Sequence, residues 1–331
     1  MADAERKIRL IDKALEALAP LERRCTLCPR KCGVDRLAGR TGVCRTGSWA
    51  SVSHALLHFG EEPVLSGTSR AAGARAARAR GGSGTVFFAG CNLKCLFCQN
   101  YQLSWLLEGN AATDEALAAM MLGLQKEGAL NINLVSPTHV ILPALKALRI
   151  AYENGLRIPL VYNSNGYESL EVVRLLDGIV DIYLPDLKYL SPEISKRYSG
   201  AADYFENAAE AVREMSLQQP VLILRPEGEA RRGLIVRHLV LPGCTADSLA
   251  ILAWLCENIS PFIGLSLMSQ YHPCFRAPDE ISRPLSPQEY RPVAERAAAL
   301  GFGHLFLQPE PFGPDEHLVP DFRKKEPFRW K

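Results

Sequence analysis

The chain has 331 residues, of which 47% are apolar and 22% are charged, as in average soluble globular proteins. Its formal net charge of +2 gives no reason to expect nucleic acid or an anionic membrane as the main partner. No stretch of the sequence approaches the ~20 consecutive apolar residues needed to cross a bilayer. The composition therefore predicts one large core, or a core with a smaller module, and no membrane or nucleic-acid partner.

The amino-terminal stretch 1–24 alternates charged and apolar residues at helical spacing. This pattern predicts an amphipathic helix. The stretch lacks the apolar core of a secretory signal peptide. We therefore expect a cytoplasmic location.

A first cysteine group follows this helix in the sequence CTLCPRKCGVDRLAGRTGVC. Its members are Cys25, Cys28, Cys32 and Cys44. Four thiolates are a complete ligand set for a zinc ion or an iron–sulfur cluster, and an S4 donor set suits both. Four unbound cysteines are the alternative. We predict a small metal-binding module of undecided metal and favour a structural role slightly over an auxiliary cluster.

The residues between the two cysteine groups carry charge but no clear motif. Glu61 and Glu62 lie in HFGEEPVLSG, residues 58–67. A loop or helix start is favoured over an acid–base pair, because adjacent side chains point in different directions in a strand. The stretch 67–84 has four arginines and no acid. It predicts an exposed, poorly ordered loop, with a basic arm for nucleic acid as the alternative.

A second cysteine group, CNLKCLFCQN, follows the apolar run TVFFAG and contains Cys91, Cys95 and Cys98. Three thiols cannot complete a tetrahedral structural zinc site. A CxxxCxxC loop can instead hold three irons of a [4Fe-4S] cluster and leave an open position on the fourth iron. Three free cysteines, or an incomplete zinc site, are the alternative. The group therefore predicts a cluster whose open iron a ligand with an amine and a carboxylate could chelate.

The rest of the chain alternates strand and helix patterns. Apolar runs predict strands at 85–89, 131–136, 158–163, 179–184, 220–224, 234–241, 262–268 and 304–307. Helical patterns lie at 114–128, 139–155, 169–178, 245–259 and 286–301. This alternation predicts parallel βαβ units in an α/β fold, either a doubly wound sheet or a barrel, and we favour the barrel.

Polar and turn-forming residues follow the predicted strands. They are Cys91, Ser136–Pro137–Thr138, Asn163–Ser164–Asn165–Gly166, Asp186, Lys188, Pro242–Gly243 and Ser269–Gln270–Tyr271–His272. Reactive groups of α/β folds lie at the carboxyl ends of the strands. We therefore expect the functional site at that edge of the sheet.

The segment GSGTVFFAGCNLKCLFCQN resembles the signature of the radical S-adenosylmethionine (SAM) enzymes. It is most similar to relatives of the pyruvate formate-lyase activating enzyme, which activate glycyl radical enzymes. The resemblance implies a partial (β/α) TIM-like barrel in which Cys91, Cys95 and Cys98 hold a [4Fe-4S] cluster and SAM chelates its unique iron. It also implies reductive cleavage of SAM to methionine and a 5'-deoxyadenosyl radical, which abstracts hydrogen from a substrate.

The same resemblance implies further residues near SAM. Asn165 and Gly166 in VYNSNGY resemble a turn near the SAM ribose. Arg237 in VRHLVLPG resembles an arginine that faces the SAM carboxylate, and His272 in SQYHP resembles a histidine near the cofactor. A surface ion pair is the alternative for Arg237, and a hydrogen-bonded loop histidine is the alternative for His272.

The chain departs from the family pattern at two places. NLVSPTH stands where many radical SAM enzymes have a Gly-Gly-Glu motif for the SAM amine, and backbone carbonyls around Ser136 and Thr138 are the expected substitutes. Asn163 and Ser164 stand where activating enzymes often have Asp-Thr, although Asp186 matches another carboxylate of the family's cation site. These departures keep a different substrate open.

Together the patterns predict three regions. They are a helix and four-cysteine module at 1–60, a linker with a basic insertion at 61–83 and a radical SAM barrel at 84–331. The expected partners are a protein or peptide substrate, first of all a glycyl radical enzyme, and a low-potential electron donor such as flavodoxin or ferredoxin. Radical modification of another peptide or small molecule is one alternative function. A non-catalytic iron–sulfur or zinc scaffold is the other.

Overall fold

The structure is a computed structural model that describes residues 2–67, 81–308 and 319–328. Most of the basic stretch predicted at 67–84 therefore lies outside the described residues. None of the helices in these ranges is both long and apolar enough to cross a membrane.

A single sheet organises the described part of the chain. Its strands are β1 (Ala50–His58), β2 (Ser83–Phe88), β3 (Asn110–Ala112), β4 (Ile132–Val135), β5 (Leu160–Ser164), β6 (Ile182–Pro185), β7 (Ile223–Leu224), β8 (Ala230–Leu239), β9 (Gly264–Met268) and β10 (His304–Leu307). Their order is β10-β9-β8-β6-β5-β4-β2-β1-β3, with β7 paired to β8. Neighbours from β10 to β2 are parallel, whereas β1, β3 and β7 pair antiparallel. The α/β prediction is confirmed, and the sheet is compatible with a partial barrel.

The helices are α1 (Ala2–Leu18), α2 (Pro63–Ser66), α3 (Tyr101–Ser104), α4 (Asp114–Glu127), α5 (Ile141–Glu153), α6 (Leu170–Leu175), α7 (Pro192–Ser199), α8 (Tyr204–Gln218), α9 (Thr245–Asn258) and α10 (Pro287–Ala299). Those from α4 to α10 lie in the crossovers between the parallel strands. Helix α4 is capped at both ends: Thr113 accepts a hydrogen bond from Ala116 at its start, and Gly128 ends it in the left-handed conformation.

Alternate residues of the central strands pack into two different cores, as the pleat of a strand requires. Tyr162 and Tyr183 belong to the large core that includes the long helices. Val161 and Ile182, their neighbours in sequence, belong to a second core on the other face of the sheet. The short helix α2 supplies Val64 and Leu65 to this second core, which places the segment before β2 against the inner face of the sheet.

The amino-terminal residues pack on the same body. Helix α1 lies against α5, and the Lys7 ammonium is 2.5 Å from a carboxylate oxygen of Asp181, just before β6. The cysteine-rich stretch has little regular structure. It is fixed by the buried Arg36, whose guanidinium donates to the carbonyls of Gly47 and His139.

Candidate functional site

A cavity of about 500 Å3 lies at the carboxyl ends of the parallel strands, where the sequence predicts the site. The predicted residues that line it are Cys91, Cys95, Cys98, Ser136, Asn163, Asn165, Asp186, Arg237 and His272. Side chains separated by up to 181 positions in the chain (272 − 91) therefore meet in one space.

Each sulfur of the second cysteine group receives a hydrogen bond from a different side chain. The amide of Asn165 donates to the sulfur of Cys91 at 3.3 Å. The hydroxyl of Ser199 donates to Cys95 at 3.0 Å, and that of Ser104 donates to Cys98 at 3.2 Å. Such donors stabilise negative charge on sulfur, as a set of thiolate ligands requires.

Burial raises the pKa of Cys91 to about 11 and that of Cys98 to about 12, and it also raises the pKa of Cys95. In the protein alone these groups are therefore thiols at neutral pH. Metal binding removes such protons, because thiolates are the actual ligands. Three partly buried thiols around one cavity, each with its own donor, fit a [4Fe-4S] cluster with one open iron.

A site for a single metal ion needs several ligands around one point, unlike a cluster. Within 2–67, 81–308 and 319–328, no group of three or more His, Cys, Asp or Glu side chains is arranged to hold a metal ion. A cluster does not require such a group, since each of its irons binds one thiolate.

The first cysteine group lies in the irregular amino-terminal stretch. Cys25, Cys28 and Cys44 are buried, and Cys32 is partly exposed. Cys44 accepts a hydrogen bond from Thr46 at 3.1 Å, while burial, with smaller contributions from Cys44 and Cys25, raises the pKa of Cys28 to about 12. A metal at this group, zinc or iron–sulfur, stays a prediction.

The turn after β5 is built around a glycine that no other residue can replace without movement. Gly166 has a φ of +82°, and a Cβ there would lie 2.1 Å from the carbonyl oxygen of Asp186. Asn165, just before it, also donates to the side-chain oxygen of Asn92 at 2.8 Å. The close approach of two strand ends thus holds Asn165 against the cysteine loop.

The NLVSPTH segment is fixed by a buried acid that the sequence did not single out. Ser136 has a φ of +53° and donates its backbone N–H to the carbonyl of Asn163 at 2.7 Å. The Thr138 hydroxyl donates to Glu168 at 2.5 Å, and the Ser164 hydroxyl donates to the same oxygen at 2.6 Å. Burial raises the pKa of Glu168 although these hydroxyls lower it. Glu168 therefore ties together the ends of β4 and β5.

Arg237 is an ion-pair residue, but not at the surface. Its guanidinium donates to both oxygens of Glu62, at 2.8 and 2.6 Å, and also to Glu61. The side chains of Arg237, Glu61 and Glu62 are only 13%, 7% and 6% exposed. The surface alternative for Arg237 is thus wrong, and a role toward the SAM carboxylate stays a prediction.

The two adjacent glutamates meet the same cation because they stand at a helix start and not in a strand. Glu62 directly precedes α2, as expected from the sequence, and Glu61 also accepts a hydrogen bond from Asn133 at 2.9 Å. Burial raises the pKa of Glu62, but the charge of Arg237 and the hydrogen bonds to the carboxylate together outweigh it and leave that pKa below its ordinary value. Glu62 and Arg237 are therefore both charged at neutral pH.

A second ion pair lies nearer the cysteines. The Lys188 ammonium is 2.5 Å from an oxygen of Asp186. Burial lowers the pKa of Lys188, but Asp186 and Cys95 raise it, and the net result is a raised pKa. His272 lines the same cavity, and its place near a cofactor stays a prediction.

Residues 85–224 match the family model described as the radical SAM superfamily. An uncharacterized protein of Methanocaldococcus jannaschii is 30% identical over 304 residues, which cover 88% of this chain and 79% of that protein. The chain belongs to the radical SAM superfamily. It is an enzyme of this superfamily, whose reactions use a [4Fe-4S] cluster and SAM.

Solved structures are also similar to this radical SAM protein. SuiB of Streptococcus suis has a TM-score of 0.48 and 14% identity, over 71% of this chain and 49% of SuiB. A structure of anSMEcpe with bound AdoMet and Kp18Cys peptide has a TM-score of 0.45 and 15% identity, over 66% of this chain and 60% of anSMEcpe. The chain thus spans about half the length of SuiB.

Proposed function

We propose that this protein cleaves SAM reductively and abstracts hydrogen from a protein or peptide, most specifically from a glycine of a glycyl radical enzyme. The observation that carries the proposal is the triad Cys91, Cys95 and Cys98 at the mouth of a cavity, with a separate donor on each sulfur. When bound, the cluster and SAM supply the one-electron cleavage that yields methionine and a 5'-deoxyadenosyl radical.

The protein's own residues hold and orient these groups. Cys91, Cys95 and Cys98 would bind the cluster, and the turn at Asn165 and Gly166 would place backbone beside SAM. With SAM and substrate filling the cavity, exclusion of water would protect a reactive radical from side reactions. Arg237 would reach the SAM carboxylate only if it exchanged or shared its pairing with Glu61 and Glu62.

Support for the glycyl radical reaction comes from the resemblance around FFAGCNLKCLFCQN. A second candidate, modification of another peptide or a small molecule, is favoured by Asn163, which lines the cavity where activating enzymes often have a carboxylate. The predicted regions 1–60, 61–83 and 84–331 are proposed as the module, linker and barrel of this enzyme, although β1 of the first region is paired with β2 of the last.

The test is an anaerobic reconstitution followed by dithionite reduction and measurement of 5'-deoxyadenosine. Wild type should form it, whereas Cys95→Ala should not. Cys256→Ala is the matched control, since this cysteine is exposed on α9, away from the two groups. A wild-type cluster whose spectrum does not change on addition of SAM, with no product, would favour a non-catalytic scaffold.

The substrate is tested separately. The reduced enzyme is mixed with each glycyl radical enzyme encoded in the same genome, and the glycyl radical is measured by electron paramagnetic resonance. A radical signal that requires SAM supports the activating reaction. Formation of 5'-deoxyadenosine without that signal favours the second candidate.

A further inference from the structure

A basic and aromatic surface lies against the cysteine loop, outside the lining of the cavity. Its cations are Arg30, Arg45, Lys94 and Arg276, and its aromatic centre is Trp105. None of these five residues lines the cavity. We refer to them together as the basic loop surface.

The arginines of the cysteine-rich module reach across to the cysteine loop. Arg30 donates to the carbonyl of Asn92 at 2.8 Å. Arg45, which directly follows Cys44, donates to the carbonyl of Trp105 at 2.5 Å. The module thus supplies two of the four cations and fixes them on the loop.

Trp105 connects the basic loop surface to a predicted cluster ligand. Its indole N–H donates to the carbonyl of Cys95 at 2.9 Å. The Lys94 ammonium lies 5.3 Å from the centre of the Trp105 rings, and the guanidinium carbon of Arg276 lies 5.6 Å from it. Cation–π contacts of this kind hold charges over an aromatic face.

The four charges are not neutralised by the acids around them. Within the ranges that the structure describes, no ion pair joins any of the four to a carboxylate. Glu108, on the segment after Trp105, is paired with Arg323 at 2.6 Å, and Glu280, on the loop that carries Arg276, with Arg197 at 2.6 Å. In a chain with a net charge of only +2, the basic loop surface is therefore a local concentration of positive charge.

We propose that the basic loop surface docks an acidic one-electron carrier protein, with a flavin or an iron–sulfur centre, which reduces the group held by Cys91, Cys95 and Cys98. The inference rests on the proposed function, because only a reductive reaction needs such a carrier. One electron leaves the carrier and enters the metal group; no bond forms or breaks, and no proton has to cross the interface.

Two physical arguments support this partner. Electron transfer between proteins slows steeply with distance, so a carrier has to contact the loop that bears the ligand cysteines. Redox partners also form small interfaces in which complementary charge sets the association rate. A substrate, by contrast, has to enter the cavity, which none of these residues lines.

The test uses the reconstituted holoenzyme and two probes in separate arms, a reduced flavodoxin and a reduced plant-type ferredoxin. The readout, without SAM, is the rate of cluster reduction by stopped-flow absorbance, divided by the rate with dithionite, which needs no docking site. Arg45→Glu/Arg276→Glu should lower this ratio at least about tenfold and remove its salt dependence. Arg276→Glu alone should lower it less, and it leaves the Arg45 contact to Trp105 intact.

Arg225→Glu/Arg231→Glu is the matched control, since both arginines are exposed on the hairpin of β7 and β8. Its ratio should equal that of wild type. Three outcomes would overturn the docking site. They are an unchanged ratio in both test variants, an equal fall of the ratio in the control, and weaker substrate binding without slower cluster reduction. A missing 5'-deoxyadenosine product would overturn the proposed function instead, because cluster reduction is read without SAM.

Discussion

At the scale of single residues, the donors to the three sulfurs come from three different elements. Ser104 ends α3, Ser199 ends α7 and Asn165 follows β5. Hydrogen bonds to the sulfurs of a cluster raise its reduction potential, because they favour the reduced and more negative state. The CxxxCxxC motif predicts the ligands but contains none of these donors.

Ser199→Ala should lower the reduction potential of the reconstituted cluster. Loss of one hydrogen bond of about 1 kcal/mol corresponds to about 40 mV in a one-electron couple. A redox titration followed by electron paramagnetic resonance measures the shift.

Ser195→Ala is the control for this change. Ser195 is buried on the same helix, but its hydroxyl donates to the carbonyl of Pro192 at 3.1 Å. Its variant should keep the wild-type potential. Equal shifts in both variants would mean that helix α7, and not the hydroxyl of Ser199, controls the potential.

Gly166→Ala should destabilise the fold by about 2 kcal/mol or more, since it adds a steric overlap to an unfavourable backbone conformation. Gly155→Ala is matched in backbone, with a φ of +101°, but has nothing within 4 Å of the new Cβ and should cost about 1 kcal/mol. Urea unfolding measures both. Equal losses would show that the approach of Asp186 to Gly166 is not tight.

At the scale of elements, the sequence predicts most of the repeating part of the fold. The helices predicted at 114–128 and 245–259 are found as α4 and α9, because helical spacing of apolar residues is a local property of the sequence. The run at 220–224 is only the two-residue β7, which pairs antiparallel with β8. Helices α7 and α8, and strand β1, which lies between β2 and β3, were not predicted.

The segment before β2 shows why the site was harder to predict than the fold. Local pattern predicts a loop or a helix start at Glu61 and Glu62, and the structure has a helix start there. The local sequence does not indicate that these glutamates pair with Arg237. Arg237 lies 175 positions after Glu62, and the two meet only because α2 packs against the inner face of the sheet. Charged residues that pair over such distances cannot be told from surface charges by sequence alone.

Arg237→Met should destabilise the protein by about 3–5 kcal/mol at neutral pH, because it leaves two buried carboxylates without their cation. In wild type the pKa of Glu62 is lower in the folded than in the unfolded protein. Its ionised carboxylate therefore stabilises the fold at pH values above the pKa of the unfolded state, and this stabilisation is lost in acid. In the variant, burial without Arg237 raises that pKa, so stability is lost as pH rises. Urea unfolding measures the free energy of unfolding of both proteins. The difference between wild type and Arg237→Met should therefore be smaller at about pH 5 than at about pH 8.

Two further variants control this result. Arg283→Met removes an exposed partner of Glu289, with the arginine side chain 48% exposed, and should cost about 1 kcal/mol or less. Glu61→Gln/Glu62→Gln/Arg237→Met removes all three charges and should recover part of the loss. A loss of stability in Arg237→Met that does not change with pH would show that Arg237 stabilises the fold through its packing and not through its charge.

At the scale of the whole molecule, both ends of the described chain pack against the body formed by the sheet and its helices. The carboxyl-terminal segment 319–328 places Phe322 against Phe87 of β2, with ring centres 5.2 Å apart. At the other end, α1 crosses to α5 and to the start of β6. The amphipathic pattern predicts α1 itself, yet it would place a lysine on the exposed face, and Lys7 is only 2% exposed.

Lys7→Met should destabilise the whole fold by about 3 kcal/mol, because it leaves the partly buried carboxylate of Asp181 without its cation. The Lys7 ammonium also donates to the Tyr152 hydroxyl at 3.2 Å, so its loss affects α5 as well as β6. Lys13→Met, exposed on the same helix, should change stability by less than about 0.5 kcal/mol. Hydrogen exchange of the backbone amides in Lys7→Met measures this. Uniform loss of protection across the described chain would show that α1 belongs to the cooperative fold. Loss confined to residues 2–18 would contradict this and show that α1 unfolds independently.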